Sequence, residues 1–192
     1  MLRDILDQYK DQSTSLRNQG DLFEALIQSY LLSDPRYTNS LSEVWLWMEF
    51  PFRDQFGGND TGIDLVAKTH KGDYWAIQCK FFDENSTISK GDVDSFLSTS
   101  SRTFDDERGI LQRFNERLWV STTNNWSSNA EEVIKNQEPP VARLNLQNLL
   151  DAPVDWGKIN QGLVGKEVRR EKKSPRPHQV TAIESAKEYF TE

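Results

Sequence analysis

Two periods alternate along the first 150 residues. Over 15–32, Leu22, Phe23, Leu26, Ile27, Tyr30 and Leu31 fall on one broad stripe, the spacing of a helix with one face against a core. A shorter helix is expected before it, over 4–10. The period then drops to two, in residues rich in aromatic and β-branched side chains, which predicts a strand over 43–50. After the break at Gly57-Gly58-Asn59-Asp60, two apolar runs over 62–69 and 73–81 flank His70-Lys71-Gly72, the signature of a β-hairpin. Ser89 with Asp92 three residues on predicts a capped helix over 90–98. A buried strand over 117–121, a helix over 127–136, a strand over 141–144 and a helix over 146–150 complete the order αβββαβαβ. That order is an α/β sandwich around a mixed sheet. The stretch 98–115 reads as a long surface loop able to move when substrate binds.

Composition narrows the class. The chain has 192 residues, 28% of them charged, so one modest core is expected. Its 21 aromatic residues argue against global disorder. One cysteine, Cys79, excludes an internal disulfide, and His70 and His178 lie too far apart for a Cys/His zinc site. No apolar run approaches the ~20 residues that cross a bilayer. A cytoplasmic protein without membrane contact, monomeric by itself, is expected. The net charge of -7 argues against coating nucleic acid through bulk positive charge, though its distribution is uneven. Between Lys158 and His178 stand seven basic and two acidic residues, a net +5, which leaves -12 for the remainder. With Gly157, Gly162, Gly165 and Pro175 as breakers, 157–175 reads as a basic linker after a domain over 1–156. Beyond it, Val180, Ile183, Ala186 and Phe190 sit at helical spacing, as at the opening of a second domain over 176–192.

The chemistry concentrates in the hairpin. Alternation places Ala76, Gln78 and Lys80 on one face of the second strand and Trp75, Ile77 and Cys79 on the other. Antiparallel pairing across the turn brings Asp64 beside Gln78, so a carboxylate, a carboxamide and an ammonium converge. The plainer alternative is a half-exposed hairpin whose polar residues face water. Oxygen donors of this kind suit Mg²⁺, which takes few protein carboxylates and completes its shell with water and phosphate oxygens. Beside an activated water, the metal and a fixed lysine would stabilise the charge that develops at phosphorus, so the reaction class is phosphodiester hydrolysis.

Gly62-Ile63-Asp64 with Gln78-Cys79-Lys80 resembles the D…QxK form of the PD-(D/E)XK motif of Mrr-like restriction endonucleases. Gly20-Asp21-Leu22-Phe23-Glu24 is similar to that family's first-helix segment. The runs 91–96 and 119–122, with Trp126-Ser127, resemble the nuclease domains of helicase-containing restriction enzymes. Pro175-Arg176-Pro177-His178-Gln179 resembles the segment that opens the first RecA-like domain of superfamily 2 helicases. A nuclease linked to a helicase start is similar to the Type ISP restriction-modification enzymes, single polypeptides with nuclease, translocase, methyltransferase and target-recognition parts. The resemblance implies a restriction-endonuclease-like αβββαβ core and a Mg²⁺-dependent endodeoxyribonuclease acting on double-stranded DNA, nicking one strand per molecule. ATP would serve only the attached helicase domain.

On this resemblance Asp64 ligates the metal, with Gln78 and the Cys79 carbonyl beside it. Lys80 orients the attacking water or stabilises charge, and Glu24 binds the metal through water or holds Lys80. Gln78, neutral where the family often has an acid, should hold Mg²⁺ weakly until DNA phosphates complete its shell. Ser89 and Lys90 are expected to contact phosphate, and Arg176 and Gln179 the adenine of the helicase nucleotide. The rival reading is a non-cleaving DNA-binding or coupling module on a degenerate nuclease fold. From the residues alone, Asp60 is taken as a turn former, Cys79, Trp45 and Trp47 as core, and Arg102, Arg108, Arg113 and Arg117 as lining a DNA groove or solvating a loop.

Overall fold

Helical periodicity at the N-terminus becomes α1 (Leu2–Gln12) and α2 (Leu16–Leu31) in the computed structural model, which describes residues 1–57 and 62–170. Ser15 caps α2 by accepting from the Asn18 amide, and α3 (Pro35–Thr38) follows, capped by Asp34. The expected strand over 43–50 is shorter, β1 (Leu41–Leu46). It ends because the chain rolls into 3-10 turns at Trp47–Glu49 and Arg53–Phe56. Those turns bury Trp47, Phe50 and Phe56 in an aromatic layer with Tyr74, Phe104 and Phe114.

The hairpin forms as expected, β2 (Leu65–Thr69) against β3 (Tyr74–Lys80), antiparallel with Leu65 opposite Ile77. β4 (Thr87–Ile88) leads into α4 (Lys90–Ser100), whose cap is the expected Ser89–Asp92 box. The stretch 98–115 is not a loop. It contains β5 (Thr103–Asp105) and the start of β6 (Leu111–Ser121), paired antiparallel across a turn organised by Asp106. That carboxylate accepts from the Arg108 and Ile110 amides and from the Gln112 side chain. β7 (Asn125–Trp126) pairs parallel with β4, then come α5 (Ser128–Ile134), β8 (Val141–Leu144), α6 (Leu146–Leu150) and α7 (Trp156–Asn160).

The sheet runs β1-β2-β3-β6, with β5 and β8 each pairing to β6. β3, β6 and β8 are parallel, so Lys80, Ser121 and Leu144 come out at one end of the sheet. Because β2 runs the other way, Asp64, just before it, lies at that same end. One sheet face is covered by α1, α2, α6 and α7, the other by the aromatic turns, α4 and α5. This is the mixed αβββαβαβ sandwich read from the pattern, a restriction-endonuclease-like arrangement with a second, two-stranded ribbon added.

The stretch expected to be linker from residue 157 packs on this body as far as the description runs. Ile159 and Val168 are buried, Trp156 stacks on Tyr30, and Arg169 donates to the Ser33 carbonyl and the Thr38 hydroxyl. Few apolar residues suffice there because polar anchors to the α2–α3 connection and to α3 do the rest; Gly165 donates its amide to Ser33 Oγ. Asp60, and residues 171–192 with Arg176 and Gln179, lie outside the described residues. Among the described residues no helix is long and apolar enough to cross a membrane.

Candidate active site

Asp64 is fixed by its backbone before its side chain acts. Its amide donates to the Ile77 carbonyl at 2.9 Å, and its carbonyl accepts from the Trp47 amide at 2.7 Å. Two residues earlier, Gly62 has φ +76°, and a Cβ there would stand 2.6 Å from Ser95 Oγ and 2.8 Å from the Phe96 amide nitrogen. Only glycine lets α4 approach this closely, and so the middle of α4, at Ser95 and Phe96, sets where Asp64 sits.

The register of β2 and β3, continued one step, puts Asp64 opposite Gln78, and the side chains meet. Asp64 Oδ2 accepts from Gln78 Nε2 at 2.5 Å and from the Cys79 amide at 2.7 Å. Gln78 is only 2% exposed, and its Nε2 also lies 3.4 Å from the Cys79 carbonyl. Its Oε1 is buried with no hydrogen-bond partner among the described residues. A buried carbonyl oxygen without a partner is uncommon enough to require an explanation. Lys80 follows, half-buried, opposite Ser121 of β6, with its carbonyl accepting from the Thr122 amide.

The Cys79 thiol turns into the core beneath α2, where burial pushes its pKa well up. The Asp64 and Glu24 carboxylates push the same way, while Lys80 opposes them. All three charges thus surround one strand end, and the thiol, held protonated, is a core residue rather than a nucleophile. Glu24 reaches the cluster from half-buried on α2, with Oε1 on the side of Gly20, one turn earlier. Among the described residues no three His, Cys, Asp or Glu side chains gather in one place. Oxygen donors are nevertheless at hand: the Asp64 carboxylate, the Cys79 carbonyl and the unpartnered Gln78 Oε1. Mg²⁺, a hard cation that accepts neutral oxygens and keeps part of its water shell, fits that set of oxygens, with Gln78 contributing once its carboxamide presents Oε1 rather than Nε2 to Asp64.

Ser89 and Lys90 already have partners within α4. Ser89 Oγ donates to Asp92 Oδ2 at 2.6 Å, and Lys90 Nζ pairs with Asp94 at 2.5 Å. Arg117 neither lines a groove nor solvates a loop. It is 1% exposed, with its guanidinium donating to Ser100 Oγ, Ser101 Oγ and the Pro139 carbonyl. Arg102 lies over the Phe56 ring and donates to the Gln55 and Phe56 carbonyls. Trp47 is core, as expected.

The sequence reading missed a polar depression of about 270 Å³ at the same end of the sheet, lined by Arg3, Glu84, Asn85, Gln147 and residues 122–125. The signal was present in Thr122-Thr123-Asn124-Asn125, four hydrogen-bonding residues directly after a parallel strand, where α/β sheets usually place their ligands.

A family model described as a restriction endonuclease, Mrr_cat_2, matches residues 32–165, well over half of the chain and inclusive of Asp64, Gln78 and Lys80. The chain belongs to this restriction endonuclease family. Its Asp64–Gln78–Lys80 end of the sheet is therefore the candidate nuclease site of a family member, whereas Glu24 lies upstream of the matched span. A solved structure described as the ATP-dependent Type ISP restriction-modification enzyme LlaBIII bound to DNA is 30% identical, with a TM-score of 0.68 over 97% of this chain. The chain spans about a tenth of that protein, 11% of its length. Two further solved restriction endonucleases are more distant. MspJI in complex with a 27-mer oligonucleotide is 17% identical over 77% of this chain and 29% of its own, with a TM-score of 0.41. The DNA modification-dependent enzyme AspBHI is 18% identical over 95% and 37%, with a TM-score of 0.44. No curated protein matches the chain.

Proposed function

We propose that this chain is the Mg²⁺-dependent DNA-cleaving part of an ATP-dependent translocating restriction enzyme of the Type ISP kind, hydrolysing one strand of double-stranded DNA per molecule. The observation that carries the reading is the contact of Asp64 with Gln78 and the Cys79 amide, beside an unpartnered buried Gln78 oxygen, in a restriction endonuclease chain. Asp64, Gln78 Oε1 and the Cys79 carbonyl would hold the cation, with Glu24 acting through water. When bound, the ion supplies the Lewis acidity that makes water a nucleophile near neutral pH. Lys80 orients that water and offsets negative charge building on the phosphate. Trp47 and Gly62 keep the Asp64 carboxylate from drifting, and Ser89 and Lys90 contact phosphate along the strand. Residues 176–192 would begin a RecA-like translocase domain, with Arg176 and Gln179 at its adenine. Methyltransferase and target-recognition domains of the same polypeptide would choose the DNA sequence.

The test is plasmid nicking in Mg²⁺, with this chain and with the longer polypeptide plus ATP. Cleavage is expected from the wild type and lost with Asp64→Asn, which keeps the shape of the side chain, and with Lys80→Ala. Cleavage that survives both substitutions would overturn the site assignment. DNA binding without Mg²⁺-dependent cleavage would favour a non-cleaving module on the same fold.

A further inference from the structure

A carboxamide has a donating end and an accepting end, and at Gln78 the two ends have opposite surroundings. Nε2 is 2.5 Å from Asp64 Oδ2 and 3.4 Å from the Cys79 carbonyl, while Oε1 is buried with no partner among the described residues. The assignment of the ends follows from the neighbours. Two acceptors face that position, and an oxygen placed there would stand against a carboxylate and a carbonyl. Yet those two acceptors are the oxygens with which Gln78 would share a cation, and cations such as Mg²⁺ take oxygen, not amide nitrogen.

We propose that the Gln78 carboxamide is a two-position element: with the cation absent its NH₂ group fills the cation's place between Asp64 and Cys79, and cation entry turns the amide end for end. This rests on the divalent-cation reading above and adds how the Gln78 carboxamide is held before a cation enters. A glutamate at 78 would face Asp64 as a second carboxylate and need a cation to relieve the repulsion. Gln78 instead reaches Asp64 with a hydrogen bond to a charged acceptor, one of the stronger kinds. The neutral side chain therefore does more than weaken the metal site. It makes the metal-free state a stable, hydrogen-bonded one that Mg²⁺ must displace.

The experiment uses the ¹⁵N-labelled chain and follows the Gln78 side-chain NH₂ resonances, assigned through their proximity to the Cys79 amide, during titration with MgCl₂ without DNA. Mg²⁺ is expected to shift this pair and to speed its exchange with solvent by about tenfold or more, as a hydrogen bond to a charged partner is lost. Gln78→Glu is expected to bind Mg²⁺ at a midpoint about tenfold or more lower, and to melt lower than wild type in EDTA. If Mg²⁺ moves the backbone amides of Leu65 and Cys79 while the Gln78 NH₂ pair stays in place, the turning amide is refuted and the cation site stands. If Mg²⁺ moves no resonance in either protein, the cation reading itself fails and takes this inference with it.

Discussion

Gly62 and Gly72 both have positive φ, +76° and +95°, but only Gly62 is crowded. Replacing each with alanine therefore separates backbone strain from close packing. The left-handed backbone costs an L-residue roughly 1–2 kcal/mol, and the stiffer unfolded chain returns about 0.4–1 kcal/mol, so Gly72→Ala should lose about 0–1.6 kcal/mol. At Gly62 the new methyl would meet Ser95 Oγ at 2.6 Å, the Phe96 amide nitrogen at 2.8 Å and the Ser95 carbonyl carbon at 2.9 Å. Two of these atoms are α4 backbone, which cannot rotate away, so an overpacking term of about 1–3 kcal/mol is added. For a domain of this size that places the melting temperature of Gly62→Ala roughly 2–12 °C below that of Gly72→Ala. Relief must come from α4 moving out or from Asp64 moving with residue 62, and the second loosens the bond from the Cys79 amide to Asp64 Oδ2. Calorimetry of both variants, with hydrogen exchange at the Cys79 amide, reads the two effects. If the variants melt together and Cys79 exchange is unchanged, α4 does not set the position of Asp64.

Arg117→Ala should lose roughly 2–5 kcal/mol in denaturant unfolding, from the cavity and from the Pro139 carbonyl left without its donor, while the salt dependence of DNA binding stays as in wild type. A shallower salt slope would return Arg117 to the DNA surface. Asp106 is held at a pKa of about 2, chiefly by the hydrogen bond from the Ile110 amide, with the Arg108 amide and the Gln112 and Arg108 side chains adding to it. Its folded value lies below the unfolded carboxyl value of about 3.9, so its contribution is complete above that pH and disappears as the pH falls through about 2. The melting temperatures of wild type and Asp106→Asn should therefore differ by a constant amount near neutrality and converge between about pH 4 and pH 2. Parallel curves across that range would contradict the turn geometry.

The hairpin was legible because its signals agree: alternation on both arms, a Gly-containing turn, and a register that sets Asp64 against Gln78. The cap at Ser89 was equally readable, since it is a local interaction with Asp92 three residues on, whereas Ser15 and Ser127, placed by the pattern inside their helices, turn out to cap them. What escaped was non-local. Trp45 and Trp47 alternate like strand residues, but β1 ends at Leu46, and residues 47–56 form the floor of an aromatic layer completed by Phe104 and Phe114 from a hairpin remote in sequence. That hairpin was itself hidden because β5 has only three residues and its turn is held by one aspartate rather than by an apolar pattern. At the site, Asp64, Gln78 and Lys80 could be placed by counting along two strands. The unpartnered Gln78 oxygen and the crowding at Gly62 could not, because both depend on packing from elements remote in sequence.

The matched family span, 32–165, and the unit able to fold are different lengths of chain. One face of the sheet is covered by α1 and α2, which precede that span, and Val168 lies beyond it. Trimmed to the span, the protein would lose Leu2, Ile5, Leu6, Tyr9, Phe23, Leu26, Ile27, Tyr30 and Leu31 from one core and leave Leu65, Ile77, Leu118 and Val120 facing water. A bare sheet face of that kind is an aggregation surface. Fragments for expression should therefore run from Met1 through at least Arg170, so that the tie from Tyr9 to Asn160 and the anchors of Arg169 on Ser33 and Thr38 are kept.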